Sequence, residues 1–432
     1  MPRQTPLYNE LPLLPGIEEG LHALNGHKIS LGMACRCCGK HRVEMVLDLG
    51  DQPHCNRLIG PDDPNPPFYP LRLGFCHDCT LVQIDHTIPK EEMFSDYPYV
   101  SGTTETLRAH FRETTERLED WYDVGADDLV VDIGSNDGTW LKCWNDAKLV
   151  GVEPDARLAS ESSGGIAFIH NDFFDDRLAW SIANSHGTAK IITAAGVFFH
   201  LEELHSVCRG INMLLADDGV FIVQAIYLGG MIENTAFDQI YHEHLCYYTL
   251  KSLQELLNRH GLHVFDVHML PIHGGTIEAH ICRIGSRQVT KNVFDLAAQE
   301  KAKNLDRIWT YHTFADDVRT IRRDLLAILD RYRSDGKTVW AYGAPAKGAT
   351  LLNSFGIGVS HVACAVEKNP RKVGKLIPGC RIPIVAESDE RPDAYLVLAW
   401  NFLDEFMVKE RAFLEGGGRF IVPVPFVSEI AL

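Results

Sequence analysis

Residues 237–250 read FDQIYHEHLCYYTL. Tyr241, His242, Glu243 and His244 are consecutive in it, Tyr247 and Tyr248 follow, and apolar residues flank the group. An imidazole can move a proton near neutral pH, a phenol can donate to a developing oxyanion, and a carboxylate can orient either. The same residue types could form a metal clip, or could simply enter a helix. His242-x-His244 needs a third ligand nearby to make an open metal site, and Glu243 would face the other way in an extended segment. Thr249 could cap a helix beginning near residue 250. A helix entry and catalysis are compatible, because loops before helices often carry function.

A second pattern is made of cysteine. CRCCGK at 35–40 and GFCHDC at 74–79 each contain a Cys-x2-Cys pair, Cys35/Cys38 and Cys76/Cys79. Each pair fits a knuckle presenting two thiolates, and two knuckles complete a four-cysteine zinc site with no open position. The expected zinc is therefore structural. The turn-rich spacer predicts a small domain rather than a finger, and Cys37 and Cys55 are spare by this count. No charged and apolar leader opens the chain, so no signal peptide is visible and a cytoplasmic location is expected. In that setting 12 cysteines point to metal ligands or buried thiols before disulfides.

The elements that must position these groups alternate. Residues 103–123 have helical spacing, with Leu107, Phe111, Leu118 and Trp121 among polar residues. LVVDIG then reads as a buried strand, GSNDG as a glycine-bounded turn and TWLKCW as the next helix. KLVGVEPD, KIITAAGVFFHL and GVFIVQAIYL supply further strands with helical segments between them. That alternation predicts a parallel α/β sheet. Residues 294–333 predict a charged, exposed connector helix or helix pair. GKTVWAYGAPAKGATLLNSFGI repeats strand, glycine turn and helix, and HVACAVEKNP, DAYLVLAW and GRFIVPVP complete a second, shorter α/β unit. Residues 1–32 show no period and are expected to be an extension.

The motif Asp132-x-Gly134-x-x-x-Gly138 is expected at a strand-to-helix turn. Glycines there allow a ligand close to the backbone, and helix N-terminal N–H groups favour an anion. The spacing is neither that of dinucleotide loops nor that of a P-loop. It resembles the first motif of class I S-adenosylmethionine methyltransferases. That resemblance implies a cofactor loop of Asp132, Gly134, Ser135, Asn136 and Gly138. Glu153, ending the next strand, would take the ribose hydroxyls, and Asp172 and Phe173 would meet the adenine.

Over residues 33–432 the chain resembles the sugar C-methyltransferases of deoxysugar biosynthesis. The segments that carry the resemblance are CRCCG, LDLGDQPHCN, MFSDYPYVSGTTETLRAHF, DIGSNDG, FDQIYHEHLCYYTL, PIHGG, YGAPAKGATLLN and NPRKVGKLIPGCRIPI. It implies a zinc-binding domain at 33–102, an S-adenosylmethionine-binding class I methyltransferase domain at 103–293, and a Rossmann-like α/β substrate domain at 294–432. It implies methylation of a carbon of a nucleotide-linked 4-keto-6-deoxysugar. The family's Tyr-x-Glu-His falls on Tyr241, Glu243 and His244, and its histidine after the fourth strand on His200. Gly196 stands where the family commonly has Asn, and Glu278 lies where an Arg is frequent.

Carbon methylation fits the opening cluster. A carbon nucleophile requires removal of a proton alpha to a carbonyl, which suits His244 as base, with Tyr241 donating to the enolate oxygen. Glu243 would orient a neighbour, and His200 with Tyr97 or Tyr99 would line the sugar site. His273, Gly274 and Gly275 would allow close substrate approach or form a strand bulge. Lys347 in GAPAKG would hold a diphosphate, or its loop would pack against the middle domain. Two other readings share the architecture: O- or N-methylation of another small metabolite, and a zinc-bearing nucleotide-binding protein without activity. The formal net charge of -17 argues against a nucleic-acid partner. No apolar run reaches the roughly 20 residues that span a bilayer, so no membrane partner is expected. A monomer or weak dimer is expected.

Overall fold

A computed structural model describes residues 33–432 apart from 95, 96, 163 and 165–167. The expected N-terminal extension, residues 1–32, lies outside the described residues. Among the described residues the strands form three sheets.

The first sheet is antiparallel. β1 (Val43–Pro53), β2 (Phe68–Cys76) and β3 (Val82–Ile84) pair in order, and a two-residue strand, Cys246–Tyr247, joins the edge of β3. That last strand belongs to the FDQIYHEHLCYYTL segment, so the zinc-bearing sheet and the acid–base cluster are physically continuous.

The second sheet is mixed. Its parallel part contains β4 (Leu129–Ile133), β5 (Lys148–Val152), β6 (Phe168–His170), β7 (Ala189–Ala195) and β8 (Leu215–Ile226). With the two-residue strand counted as β9, the antiparallel pair β10 (Leu262–Leu270) and β11 (Thr276–Arg283) completes it, in the order β10-β11-β8-β7-β4-β5-β6. β4 is buried along its length because helices and loops cover both faces, which is why its sequence is an unbroken apolar run around Asp132. Its neighbours β5 and β7 leave in opposite directions, which opens a crevice beyond its carboxyl end.

The third sheet repeats that device. β12 (Val339–Tyr342) lies between β13 (Ala365–Glu367) and β15 (Ala394–Val397), with β14 (Ile384–Ala386), β16 (Arg419–Val422) and β17 (Ser428–Ile430) outside them. All its pairings are parallel except β16 with β17. One buried apolar cluster runs through all three sheets, including Leu73, Val131, Tyr248 and Leu351.

Helix 105–122 forms and buries Leu107, Phe111 and Leu118 as expected, but Tyr122 takes the inward place in the last turn and Trp121 is exposed, packed against Arg117 and His268. Thr249 caps helix 250–258, accepting from the Ser252 N–H in a reciprocal capping box. The charged 294–333 region is a helix pair, Lys291–Ala302 and Ile308–Ser334. It is not a free connector: the longer helix buries Tyr311, Phe314, Val318, Ile321, Leu325 and Leu329 along one stripe. TWLKCW departs from expectation. It forms only a 3-10 turn, Leu141–Cys143, because Trp140, Leu141 and Trp144 all turn inward and Trp140 stacks on Phe111 at 5.0 Å. The glycine loop is therefore not backed by an α-helix, and the helix-terminus argument for an anion does not apply there.

Candidate active site

Sγ atoms of Cys35, Cys38, Cys76 and Cys79 all lie within 4.8 Å of one another. The Cys35–Cys79 and Cys38–Cys76 sulfur distances are 3.4 and 3.6 Å. Four thiolates at about 2.3 Å from one zinc would sit about 3.8 Å apart, so the donor set fits a closed tetrahedral zinc site. It is the only such group among the described residues. Cys37 is buried and Cys55 lies elsewhere, beside Glu243.

The loop after β4 turns through Gly134 (φ +72), Asn136 (φ +53) and Gly138 (φ +73). A Cβ on Gly134 would come within 2.5 Å of Val197, so the loop needs both the conformation and the space. Glu153 is 5 % exposed, and its two oxygens accept from the N–H groups of Asn136 and Asp155, each at 2.8 Å. Burial pushes its carboxyl up to about 7 against those bonds. Burial does the same to Asp132, also to about 7, although the Thr193 hydroxyl donates to it at 2.6 Å. Ser135 Oγ is buried without a partner. Asp172 and Phe173 follow β6 on the rim of the same crevice, with Lys90 over the Phe173 ring at 4.7 Å. The strap 97–103 crosses the loop: Tyr97 N–H donates to Asp155, Ser101 N–H to Asn136 and Gly102 N–H to Asp137. An unpartnered hydroxyl, close backbone and a buried carboxylate beside the loop fit a cofactor with ribose hydroxyls and a methionine backbone.

The acid–base cluster lies next to this crevice. His244 Nδ1–H donates to Gln239 O at 2.8 Å, which fixes the tautomer and leaves the lone pair on Nε2. Its ring packs 3.8 Å from Tyr241, 4.6 Å edge-on from Phe199, and stacks on His200 at 5.2 Å. His200 is in turn stacked on Phe94 at 5.3 Å, and burial lowers it to about 3, so it is neutral. His200 Nε2 is buried without a hydrogen-bond partner. Burial, then the Glu243 charge, pushes the Tyr241 phenol well up, which keeps it a proton donor. Tyr97 OH donates to Glu243 at 3.0 Å, whereas Tyr99 is 44 % exposed and packs loosely beside Tyr97. His242 faces away, its Nε2 3.1 Å from Pro70 O, its ring near Tyr69 and His86. The structure thus brings Tyr241, Glu243, His244, His200 and Tyr97 together, and separates His242 from His244.

PIHGG is neither a strand nor a bulge: Ile272–Gly274 is a 3-10 turn between β10 and β11, with Gly274 at φ +84 and Gly275 at φ +115. The side chain of His273 lies outside the described residues. A Cβ on Gly274 would come 3.2 Å from Gln239 Nε2 and 3.3 Å from Trp400. Trp400 joins this turn to Lys347: its Nε1–H donates to Asp238 at 2.7 Å, and Lys347 Nζ lies 3.8 Å over its ring while donating to Asn401. Burial lowers Lys347 to about 8. Sequence reasoning missed His54, Asn56, Asp238 and Trp400. The first three lie inside segments that signalled the family, but nothing in their types or spacing said what they touch.

Three family models match in tandem: a zinc binding domain over 35–94, a methyltransferase domain over 104–267, and a C-methyltransferase C-terminal domain over 271–425. The C-methyltransferase NovU of Streptomyces niveus is 35% identical over 400 residues, covering 90% of this chain and 95% of NovU. The chain belongs to the C-methyltransferase family. This C-methyltransferase is S-adenosylmethionine-dependent, acts on a small molecule and carries a zinc-binding domain. Among solved structures, the S-adenosylmethionine-dependent methyltransferase of Anabaena variabilis is 14% identical, with TM-score 0.32 over 40% of this chain and 84% of its own. The corresponding enzyme of Clostridium acetobutylicum is 11% identical, with TM-score 0.32 over 41% and 92%. Among the described residues no helix is long and apolar enough to cross a membrane.

Proposed function

We propose that the enzyme methylates a carbon alpha to the ketone of a nucleotide-linked 4-keto-6-deoxysugar, through an enolate made by His244. The observation that supports this best is the fixed tautomer of His244, which carries a basic Nε2 beside a phenol held protonated. His244 takes the carbon-bound proton, and the C–H electrons pass into the enolate, whose oxygen the Tyr241 hydroxyl stabilises. S-adenosylmethionine, when bound, supplies an electrophilic methyl group. We assign Asp132, Gly134, Ser135, Asn136, Gly138, Glu153, Asp172 and Phe173 to its site. His200 and Tyr97 wall the sugar site, Tyr99 lies at its mouth, and the nucleotide diphosphate is assigned to Lys347 above the Gly274–Gly275 turn. The division at 33–102, 103–293 and 294–432 follows from these roles.

A panel of nucleotide-linked 4-keto-6-deoxysugars, incubated with S-adenosylmethionine, should give a product heavier by one methylene. His244→Asn should bind cofactor and lose turnover by roughly 100- to 10,000-fold, the range for a general base. With S-adenosylhomocysteine, wild type should wash solvent deuterium into the acidic carbon and His244→Asn should not. Normal turnover and exchange in His244→Asn would remove His244 as the base.

A further inference from the structure

The segment LDLGDQPHCN runs into a loop that neither the zinc site nor the proposed proton transfer uses. It leaves β1 at Pro53 and turns inward. His54 Nε2 lies 2.9 Å from Glu243 Oε1, and Asn56 Nδ2 donates to the same oxygen at 2.6 Å. Tyr97 OH takes Oε2 at 3.0 Å. Glu243 is 0 % exposed, so these donors stand in for water. Farther along, the loop is pinned by the third sheet's approach segment: Ile59 and Leu376 exchange backbone hydrogen bonds at 3.2 and 2.8 Å, and Arg381 donates to the carbonyls of Pro61 and Asp63.

We infer that His54 and Asn56, carried by the zinc-binding domain, are positioning residues for methyl transfer: they hold the Glu243 carboxylate fixed and ionised beside His244. The inference rests on reading His244 as the base. A buried carboxylate without donors takes up a proton. Burial pushes Glu243 up, but its bonds, first to His54 and then to Asn56, hold the group below the usual range. The groups facing Glu243 are His54, Cys55 and Asn56 from the loop, Tyr97 from the strap, and Tyr241 and His244 from its own segment. Ionised, it stabilises the imidazolium formed as His244 takes the proton. Both its oxygens are occupied, so it does not abstract the proton itself. The Cys-x2-Cys knuckles grip the open end of the β1–β2 hairpin, Cys35 and Cys38 before β1 and Cys76 and Cys79 around the end of β2, while the loop at its other end carries His54 and Asn56.

The test uses full-length, zinc-loaded protein and His54→Leu. The protonated-carboxyl infrared band that Glu243→Gln removes should rise at higher pH in His54→Leu than in wild type. The acid limb of kcat should move up in pH with it, and turnover at neutral pH should fall roughly 10- to 100-fold, the size of one lost bond to a charged group. KM for S-adenosylmethionine and zinc content should stay as in wild type. His54→Gln, which keeps a neutral donor, should restore both the band and the limb. An unmoved band in His54→Leu, or no rescue by His54→Gln at full zinc content, would overturn the inference. If His54→Leu does not fold, Asn56→Ala removes one donor and is read the same way. The infrared readout needs no substrate, so it stands or falls apart from the His244 reading, which the deuterium experiment tests.

Discussion

The crevice after β4 and the crevice after β12 are built alike and charged differently. Each opens at a strand whose two neighbours diverge, and each begins with a left-handed glycine, Gly134 at φ +72 and Gly343 at φ +83. In each, a glutamate at the carboxyl end of the adjoining strand ties a backbone N–H of the glycine loop to backbone N–H groups just after itself. Glu153 takes Asn136 and Asp155; Glu367 takes Ala344 at 3.2 Å, Lys368 at 2.9 Å and Asn369 at 3.1 Å. The first crevice surrounds that glutamate with further acids, Asp132 and Asp155. The second has Lys372 beside Glu367 at 3.6 Å and Lys347 in the first turn of the helix, Ala346–Phe355, that follows its loop. One backbone device is thus proposed to serve ligands of opposite charge: a sulfonium cofactor in the first, and a diphosphate in the second.

The sharpest way to break the comparison is to fill each glycine. A Cβ on Gly134 would meet Val197 at 2.5 Å, while one on Gly343 would meet nothing closer than Ala399 at 3.6 Å. Gly134→Ala adds an overlap of about 1–3 kcal/mol to a left-handed strain of about 1–2 kcal/mol, and Gly343→Ala adds the strain alone. Calorimetry should show S-adenosylmethionine binding lost or severely weakened in Gly134→Ala and retained in Gly343→Ala. Equal effects would mean that the two loops are not separate sites.

The glutamates give the next test. Glu153→Ala should weaken S-adenosylmethionine by roughly 1–3 kcal/mol, the cost of lost charge-assisted hydrogen bonds. Glu367→Ala should leave that affinity unchanged. Unchanged affinity in Glu153→Ala would place the ribose elsewhere.

Both crevices were legible in the sequence for the same reason. A buried parallel strand must be a continuous apolar run, and the turn at its carboxyl end must contain glycine, so LVVDIG and TVWAYG announce themselves. The paired cysteines were legible because tetrahedral zinc imposes a spacing. The helix expected from TWLKCW was not formed, since large side chains at Trp140 and Trp144 are pulled into the core more strongly than the short segment favours a helix. The partners of Glu243 were not legible at all. His54 and Asn56 lie 189 and 187 residues before it, and no local pattern encodes a contact made only when two sheets close on one another.

The smallest expected effect is also the most diagnostic, because the two crevices should respond to pH with opposite slopes. Burial raises Glu153 to about 7, so below that pH it is increasingly protonated and a poorer acceptor for ribose hydroxyls. S-adenosylmethionine affinity should therefore rise with pH through 7 and level off. The methionine amino group titrates near 8, so the reading is the difference between wild type and Glu153→Gln, which should carry the rise alone. Lys347 is lowered to about 8 by burial, so above that pH it progressively loses its charge. Affinity for a nucleotide sugar, whose esterified diphosphate does not itself titrate in this range, should fall as pH passes through 8, by at most about tenfold per pH unit. Lys347→Met should bind more weakly at neutral pH and show no such fall. Parallel slopes for the two ligands, or a nucleotide-sugar slope that survives Lys347→Met, would show that the charge difference between the crevices does not select their ligands.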